Sequence, residues 1–313
     1  MTSSILVTGG AGFIGSATVD IFVSEGFKVK IIDNLSSGTR KNINKKAGFI
    51  NLDITKINQS IIKKLKGIDA VVHSAAQISM PKSLSDVASD AKTNIIGSIK
   101  VLELCRKLKI KKIVFSSSCA VYGDAKKLPI KEGNDLKALN PYAISKKTVE
   151  NYLDFYNEYF GMECESLRYA NVYGPRQNFF GEAGVVTIFI NKLLQNQNPT
   201  IFGDGMQTRD FIFVEDVARA NVLALKKKSV NGKLNIGTGT RISINSLAGK
   251  LQDMMGKKSL KPKHEKPRER EIRHISLDIT LAKRELGWKP RVEIEEGLNR
   301  TIEWFSSTNV QNL

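Results

Sequence analysis

The sequence is poor in the features that define several protein classes. Its 313 residues include three cysteines, Cys105, Cys119 and Cys164, whose spacing fits neither a metal site nor a disulfide framework. No apolar run reaches the length of a membrane-spanning helix, and the opening segment MTSSILVTGG lacks the basic and apolar regions of a signal peptide. We therefore expect a cytoplasmic protein without disulfides, bound metal or membrane spans.

Acidic residues are also scarce relative to basic ones. The chain has 48 lysines and arginines against 31 aspartates and glutamates, which gives a formal net charge of +17. Such an excess invites a nucleic-acid hypothesis. The basic residues are nevertheless spread over short clusters, a pattern typical of solvated helix faces and loop ends. We favour a solvated basic surface, whose positive field would also attract a small anionic ligand.

Short apolar strands alternate with amphipathic helices in the first part of the chain. The strands are predicted at residues 4–8, 28–33, 48–52, 68–73, 112–116 and 163–169. A helix is predicted over residues 13–25. Alternation of this kind predicts βαβ units and a parallel sheet.

Beyond about residue 170 the pattern loosens, and glycine and asparagine become frequent. We predict a short strand running into a helix over 209–228, and helices over 243–255, 281–286 and 294–305. Ser243 is the expected N-cap of the helix over 243–255. The sequence therefore predicts an α/β fold, with a doubly wound parallel sheet and a smaller C-terminal α/β lobe.

A glycine-rich turn follows the first predicted strand. Gly9, Gly12 and Gly15 have the spacing that permits a tight turn, close approach of the backbone to a pyrophosphate, and close packing of helix on strand. The helix start then favours phosphate groups. Asp33 ends the second strand roughly 20 residues further on, where a carboxylate bonds the ribose hydroxyls and disfavours a 2′-phosphate. The pattern predicts NAD binding, with Asp53 either an adenine contact or a plain loop carboxylate.

A serine, tyrosine and lysine set follows the fifth predicted strand. Ser116, Ser117 and Ser118 end that strand, and Tyr142 and Lys146 lie four residues apart, on one face of the next helix. An ammonium near a phenol favours the phenolate, which can act as a general base on a substrate hydroxyl. YxxxK alone is a common chance pattern. Its place downstream of the glycine turn favours a catalytic role.

Sequence blocks that run in order along nearly the whole chain resemble the extended short-chain dehydrogenase/reductase family, in its NAD-dependent epimerase/dehydratase branch. The blocks are TGGAGFIGS (8–16), DNLSSG (33–38), HSAAQ (73–77), SSSCAVYG (116–123), PYAISK (141–146), RYANVYGPRQ (168–177), GDGMQTRDFIFVEDVA (203–218), NIGTG (235–239) and ELGWKP (285–290). This resemblance implies a Rossmann-type NAD-binding domain over residues 1–170 and a nucleotide-sugar-binding lobe over 171–313, with some chain crossing between the lobes. It also implies a homodimer formed through helices around 90–108 and 142–160.

The resemblance implies individual roles as well. Ser118, Tyr142 and Lys146 match the catalytic residues, and Ser118 and Tyr142 would also contact the substrate. The implied NAD contacts, besides Tyr142 and Lys146, are Gly9, Gly12, Phe13, Ile14, Gly15, Asp33, Asn34, Ser36, Ser37, Gly38, Asp53, Ile54, Ala75, Ala76, Gln77 and Asn94. The implied contacts to the UDP portion are Asn171, Val185, Arg209, Arg268 and Glu271, with Glu271 standing where the family usually has aspartate.

The reaction expected from the resemblance depends on two residues after Ser118. Dehydratases of the branch have Asp-Glu where this chain has Cys119 and Ala120, and decarboxylases usually have glutamate at the second position. Without that acid, reversible oxidation and reduction remain, as in a nucleotide-sugar 4-epimerase. We expect Cys119 to pack rather than react. Ile275 stands at the family's sugar gate, where bulk favours UDP-glucose and UDP-galactose over N-acetylated sugars.

Other interpretations stay open at this point. One is a UDP-N-acetylglucosamine 4-epimerase, and another is a different NAD-dependent nucleotide-sugar oxidoreductase. A third, of a different class, is a non-catalytic NAD- or RNA-binding protein on the same fold.

Overall fold

Seven parallel strands form the central sheet of the computed structural model, which describes residues 3–178, 184–227, 232–268 and 271–307. The described ranges contain thirteen strands, of which seven belong to this sheet. In chain order they are β1 (Ser4–Thr8), β2 (Lys28–Asp33), β3 (Gly48–Asn51), β4 (Ala70–His73), β5 (Lys112–Ser118), β6 (Glu163–Tyr169), β7 (Asn171–Tyr173), β8 (Thr200–Phe202), β9 (Thr208–Arg209), β10 (Phe211–Phe213), β11 (Gly232–Ile236), β12 (Ile242–Ser243) and β13 (Lys263–Glu265). The order in the sheet is β11-β6-β5-β4-β1-β2-β3, with every neighbouring pair parallel. The predicted Rossmann-type fold is confirmed.

Helices cover both faces of this sheet, and others lie in the C-terminal part of the chain. They are α1 (Phe13–Ser24), α2 (Gln59–Lys64), α3 (Met80–Ser85), α4 (Val87–Ala91), α5 (Gly97–Leu108), α6 (Pro141–Phe160), α7 (Val185–Leu194), α8 (Val214–Lys226), α9 (Ile244–Met254), α10 (Thr280–Leu286) and α11 (Ile294–Ser307). Within the described ranges no helix combines the length and apolar character needed to cross a membrane.

Alternation along β1 shows how the two faces are filled. Ile5 and Val7 pack in the core cluster that contains residues of α1 and α8, whereas Leu6 packs in the cluster that contains residues of α5 and α6. Successive strand residues point to opposite faces, so a strand that is apolar throughout is suited to a sheet covered on both sides. The topology also predicts where a ligand binds. All the strands have their carboxyl ends at one edge of the sheet, and the strand order reverses between β1 and β4, so the crevice at that point is the expected site.

The remaining strands form three short pairs, β7 with β10, β9 with β12, and β8 with β13. A third core cluster joins them to α7, α9 and α11. The boundary at residue 170 stays a prediction, but the chain beyond it does not form a separate layer throughout. Strand β11 pairs with β6 in the main sheet, and α8 packs with α1.

Most predicted strands lie where the sequence pattern puts them, with small shifts at their ends. The strand predicted over 112–116 continues to Ser118, and the one predicted over 68–73 begins at Ala70. Strand β11 was absent from the prediction. Its segment GKLNI has two strongly apolar residues, Leu234 and Ile236, and their burial depends on β6 alongside rather than on a local pattern.

Candidate active site

The glycine turn between β1 and α1 leaves no room for side chains. Gly9 has φ +73°, and a Cβ there would lie 2.7 Å from the backbone nitrogen of Ala75. A Cβ on Gly15 would lie 2.1 Å from the carbonyl oxygen of Gly9. Helix α1 starts at Phe13, so the N–H groups of its first turn, including those of Phe13 and Ile14, lack partners within the helix. The turn fits a pyrophosphate, as the spacing predicts.

Carboxylates stand at the ends of β2 and β3 beside this turn. Asp33 accepts hydrogen bonds from the backbone of Ala11 (3.0 Å) and Leu35 (2.8 Å). Partial burial raises the pKa of Asp53, but hydrogen bonds from Thr55 and Asn34 outweigh it and hold that pKa below its usual value. The structure thus brings Asp33, Asn34 and Asp53 together at one edge, as a ribose and adenine site requires.

The loop from Asn34 to Gly38 folds back on the glycine turn. Asn34 accepts a hydrogen bond from the backbone of Ser36 (3.0 Å), and Ser37 follows it. A Cβ on Gly38 would lie 2.8 Å from the backbone of Ala11. Ile54 differs from these residues, because its side chain is buried in the core and contacts the position where Gly97 would carry a Cβ.

The crevice continues beyond β4 through Ala75, Ala76 and Gln77. The backbone nitrogen of Gln77 donates to Asn94 Oδ1 (2.8 Å), and Asn94 Nδ2 donates back to the carbonyl of Gln77 (2.9 Å). Asn94 lies in a short π-helix, Lys92–Ile96, between α4 and α5. Such wide turns occur frequently at functional sites. The structure joins two predicted NAD contacts that are far apart in sequence.

The serine, tyrosine and lysine set converges where β5 ends. Ser118 is the last residue of β5, and its Oγ accepts a hydrogen bond from the backbone of Ala120 (3.2 Å). Helix α6 begins at Pro141 with an Asn140 cap, which places Tyr142 in the first turn. Lys146 Nζ lies 5.7 Å from the centroid of the Tyr142 ring and donates to the carbonyl of Ser116 (2.7 Å). The lysine therefore connects the helix that carries the tyrosine with the strand that carries the serine.

Lys146 is a buried cation, with 4% of the residue exposed. Burial lowers the pKa of Lys146 to about 8, and the negative charges of Asp90 and Glu150 oppose this effect. Burial, together with the charge of Lys146, also holds the pKa of His73 down at about 3. His73 is therefore neutral at physiological pH, and Lys146 carries the positive charge at this edge of the sheet.

Three of the predicted UDP contacts form a charged group. Arg209 Nη2 donates to Glu271 Oε1 (2.9 Å). Burial lowers the pKa of Arg209, the Glu271 carboxylate opposes this effect, and the positive charge of Arg268 adds to it. The guanidinium of Arg268 lies 4.4 Å from the centroid of the Phe202 ring.

The other two predicted UDP contacts begin secondary-structure elements. Asn171 opens β7 and Val185 opens α7. The Oδ1 atom of Asn171 is buried, and no group in the described parts of the chain donates a hydrogen bond to it. A buried acceptor without a donor is costly in an empty site and favourable beside a ligand hydroxyl or amide.

Cys119 and Ile275 are both buried. Burial raises the pKa of the Cys119 thiol to about 12, and Asp210 adds to this effect while Arg209 opposes it. Ile275 lies in the core, and its backbone nitrogen donates to the carbonyl of Thr208 (3.1 Å). The packing of Cys119 agrees with the absence of a reactive thiol, and the gate role of Ile275 stays a prediction.

Two buried carboxylates near Lys146 were not predicted from the sequence. Glu150, on α6, accepts two hydrogen bonds from Arg168 (2.9 and 2.6 Å), and Ser117 donates to it (2.6 Å). Asp90 accepts a hydrogen bond from Ser145 (2.6 Å). One signal was available for Glu150, which lies four residues after Lys146 and so shares its helix face. No local signal marks Asp90.

The sequence of the chain matches a known protein family. The model of the family described as "NAD dependent epimerase/dehydratase family" matches residues 5–237. The chain belongs to this family. The predictions of an enzyme of the NAD-dependent epimerase/dehydratase family and of NAD as its cofactor are confirmed.

Three relatives show how close the likeness is. A putative UDP-glucose 4-epimerase from Methanocaldococcus jannaschii is 46% identical over 97% of this chain and 99% of its own length. The structure of a UDP-glucose 4-epimerase with UDP-glucose from Thermotoga maritima superposes with a TM-score of 0.94 at 44% identity, covering 97% of this chain and 99% of that one. A UDP-N-acetylglucosamine 4-epimerase from Methanobrevibacter ruminantium, in complex with UDP-N-acetylmuramic acid, gives 0.93 at 37% identity, covering 98% and 99%.

Proposed function

We propose that the protein is an NAD-dependent UDP-sugar 4-epimerase that interconverts UDP-glucose and UDP-galactose. The observation that carries this proposal is the convergence of Tyr142, Lys146 and Ser118 at a strand end where Cys119 and Ala120 supply no acid. Asp210 is nearby, but its carboxylate is buried and accepts hydrogen bonds from Thr238, Gly239 and Leu277. A general base without an added acid suits reversible redox chemistry and does not suit elimination of water.

Tyr142, as phenolate, removes the proton of the sugar 4-hydroxyl. NAD, held by the glycine turn and by Asp33, would supply the hydride acceptor and later the hydride donor, so that carbon 4 could be oxidised and then reduced from its opposite face. Lys146 holds a positive charge beside Tyr142 and stabilises the phenolate. Ser118 donates to the same sugar oxygen and orients it. Tyr142 then returns the proton to the 4-oxygen, which gives the alcohol of inverted configuration.

The UDP portion is held, in this proposal, by Asn171, Val185, Arg209, Arg268 and Glu271. Two arginines can meet a pyrophosphate with forked donors, and Glu271 orients one of them. Asn171 Oδ1 has no donor among the described residues, which supports a ligand at this position. Substrate selection by Ile275 belongs to the same proposal.

A homodimer is the proposed assembly. The helices expected to form the interface carry large apolar side chains at the surface, among them Ile144, Tyr152 and Phe155 on α6. Tyr159, 76% exposed, stacks on Phe155 at 5.4 Å between ring centroids. A contiguous exposed apolar patch is typical of a protein interface. We place the dimer in the cytoplasm, which the three unpaired and buried thiols support.

The deciding experiment is incubation of the purified protein with UDP-glucose, UDP-N-acetylglucosamine and UDP-glucuronate separately, with the products identified by NMR. We expect UDP-galactose from UDP-glucose without net NADH formation. Turnover of UDP-N-acetylglucosamine alone would indicate a UDP-N-acetylglucosamine 4-epimerase instead. Stoichiometric NADH would indicate a dehydrogenase, and a salt-sensitive RNA complex without sugar turnover would contradict the enzyme proposal.

A further inference from the structure

Asp90 is a buried carboxylate that makes no direct ion pair. Its residue is 1% exposed, and its oxygens accept hydrogen bonds from three neutral groups. These are Ser145 Oγ (2.6 Å), Asn94 Nδ2 (3.0 Å) and Gln77 Nε2 (3.0 Å). Among the residues that the structure describes, no lysine, arginine or histidine contacts the carboxylate. A buried charge is strongly unfavourable unless another charge compensates it.

Lys146 is a buried cation that contacts no carboxylate of the described residues. Its ammonium donates to the carbonyl of Ser116 and lies 4.6 Å from the centroid of the Phe115 ring, with no carboxylate of the described chain in contact. Glu150, the other buried carboxylate nearby, is already neutralised by the paired hydrogen bonds from Arg168. Asp90 is therefore the better counter-charge for Lys146.

We propose, on the basis of the proposed function, that Asp90 is a positioning residue that supplies the counter-charge of Lys146 through the protein interior and ties the lysine's helix to the cofactor site. Ser145 directly precedes Lys146, so its bond to Asp90 fixes the first turns of α6. Gln77 and Asn94, both predicted NAD contacts, bond to the other oxygen of the same carboxylate. One side chain thus sets the relative position of the lysine and of the cofactor edge.

The charge effect of Asp90 can be separated from those of its neighbours. The titratable groups that face Lys146 are Tyr142 and Glu150 on α6, His73 on β4 and Asp90, with Arg168 behind Glu150. His73 is neutral, and loss of Glu150 would strand the Arg168 guanidinium. The negative charge of Asp90 raises the pKa of Lys146 against the effect of burial. Its removal strands no cation that it contacts.

Asp90→Asn is the informative variant because it keeps the shape and the hydrogen bonds. The retained oxygen still accepts from Asn94 and Gln77, and the Ser145 hydroxyl can turn to accept from the new amide. The readout is the pH titration of the Lys146 13Cε signal, assigned by its loss in Lys146→Met. We expect the midpoint to lie about one pH unit below that of the unaltered protein. The pH at which kcat declines on the alkaline side should move downward by the same amount as the Lys146 midpoint. The KM for UDP-glucose should change little.

Ser145→Ala is the matched control, since it removes one hydrogen bond and leaves the charge. Its Lys146 midpoint should stay at the unaltered value. An unmoved midpoint in Asp90→Asn, or equal movement in both variants, would overturn the proposal. Should Asp90→Asn not fold, the smaller uncharged Asp90→Ser serves the same comparison. The titration needs no turnover, so failure of the epimerase proposal would appear separately, as absence of UDP-galactose.

Discussion

The cofactor side and the UDP side of the site are held by different means. On the cofactor side the polar groups bond to one another, as Asp33 bonds to the glycine turn and Asn94 to Gln77. On the UDP side Arg209 is paired with Glu271, but within the described residues Asn171 Oδ1 has no donor, and Arg268 lies exposed over the Phe202 ring. On the proposed function, the groups of the cofactor side are held in place by the fold, whereas Asn171 and Arg268 keep bonding capacity for the substrate.

Substitutions on the two sides should have different kinetic effects. Changes on the fixed side should lower kcat or abolish cofactor binding, because the geometry itself is lost. Changes on the UDP side should mainly raise KM, because binding is lost while the reacting groups stay in place.

The largest effect is expected from Tyr142→Phe. Loss of the general base should reduce kcat by about 100-fold to 10,000-fold, with little change in NAD content or in the KM for UDP-glucose. Steady-state kinetics and the NAD content of the purified variant measure this. Tyr159→Phe, at the other end of the same helix, is the control and should keep its activity, because it retains the ring that stacks on Phe155. A Tyr142→Phe variant within a few-fold of the unaltered enzyme would remove the assignment of the base.

Gly15→Ala tests the glycine turn. The added Cβ would lie 2.1 Å from the carbonyl oxygen of Gly9, so the turn must open. We expect NAD affinity to fall by about 100-fold, which corresponds to loss of one or two hydrogen bonds from the turn to the charged pyrophosphate, measured by calorimetry on the apoprotein. Gly249→Ala on α9, where the new Cβ meets nothing within 4 Å, should leave NAD affinity unchanged and stabilise the fold by up to about 1 kcal/mol. Equal NAD affinity in both variants would contradict a close fit of the turn.

The sequence predicts the two sides unequally well, for a physical reason. The glycine turn and Asp33 depend on one strand–turn–helix unit, so local spacing suffices to find them. Asp90, Ser145 and Gln77 come from three segments, and their hydrogen bonds exist only after α4 and α6 pack together. Strand β11 is similar, since its pairing with β6 decides its structure. The UDP contacts were proposed from family resemblance, because no spacing joins Asn171 to Arg268.

Arg268→Ala should have a smaller effect, confined to binding. Loss of one charged contact to the pyrophosphate is expected to raise the KM for UDP-glucose by about 10-fold, with kcat little changed. Arg273→Ala is the control, because Arg273 is exposed and its guanidinium pairs with Asp204 (2.8 and 2.6 Å). Initial rates over a range of substrate concentrations separate the two variants. A fall in kcat at unchanged KM would contradict this role and would group Arg268 with the residues of the cofactor side.

The smallest effect is expected from Cys119→Ala, although this residue adjoins Ser118. Burial raises the pKa of its thiol to about 12, so the thiolate is essentially absent at neutral pH, and reactivity requires the thiolate. We expect kcat within about three-fold of the unaltered value and no inactivation of the unaltered enzyme by iodoacetamide. A loss of more than ten-fold would give the thiol a chemical role. It would then weaken the epimerase proposal itself, because that proposal depends on a site without an additional proton donor after Ser118.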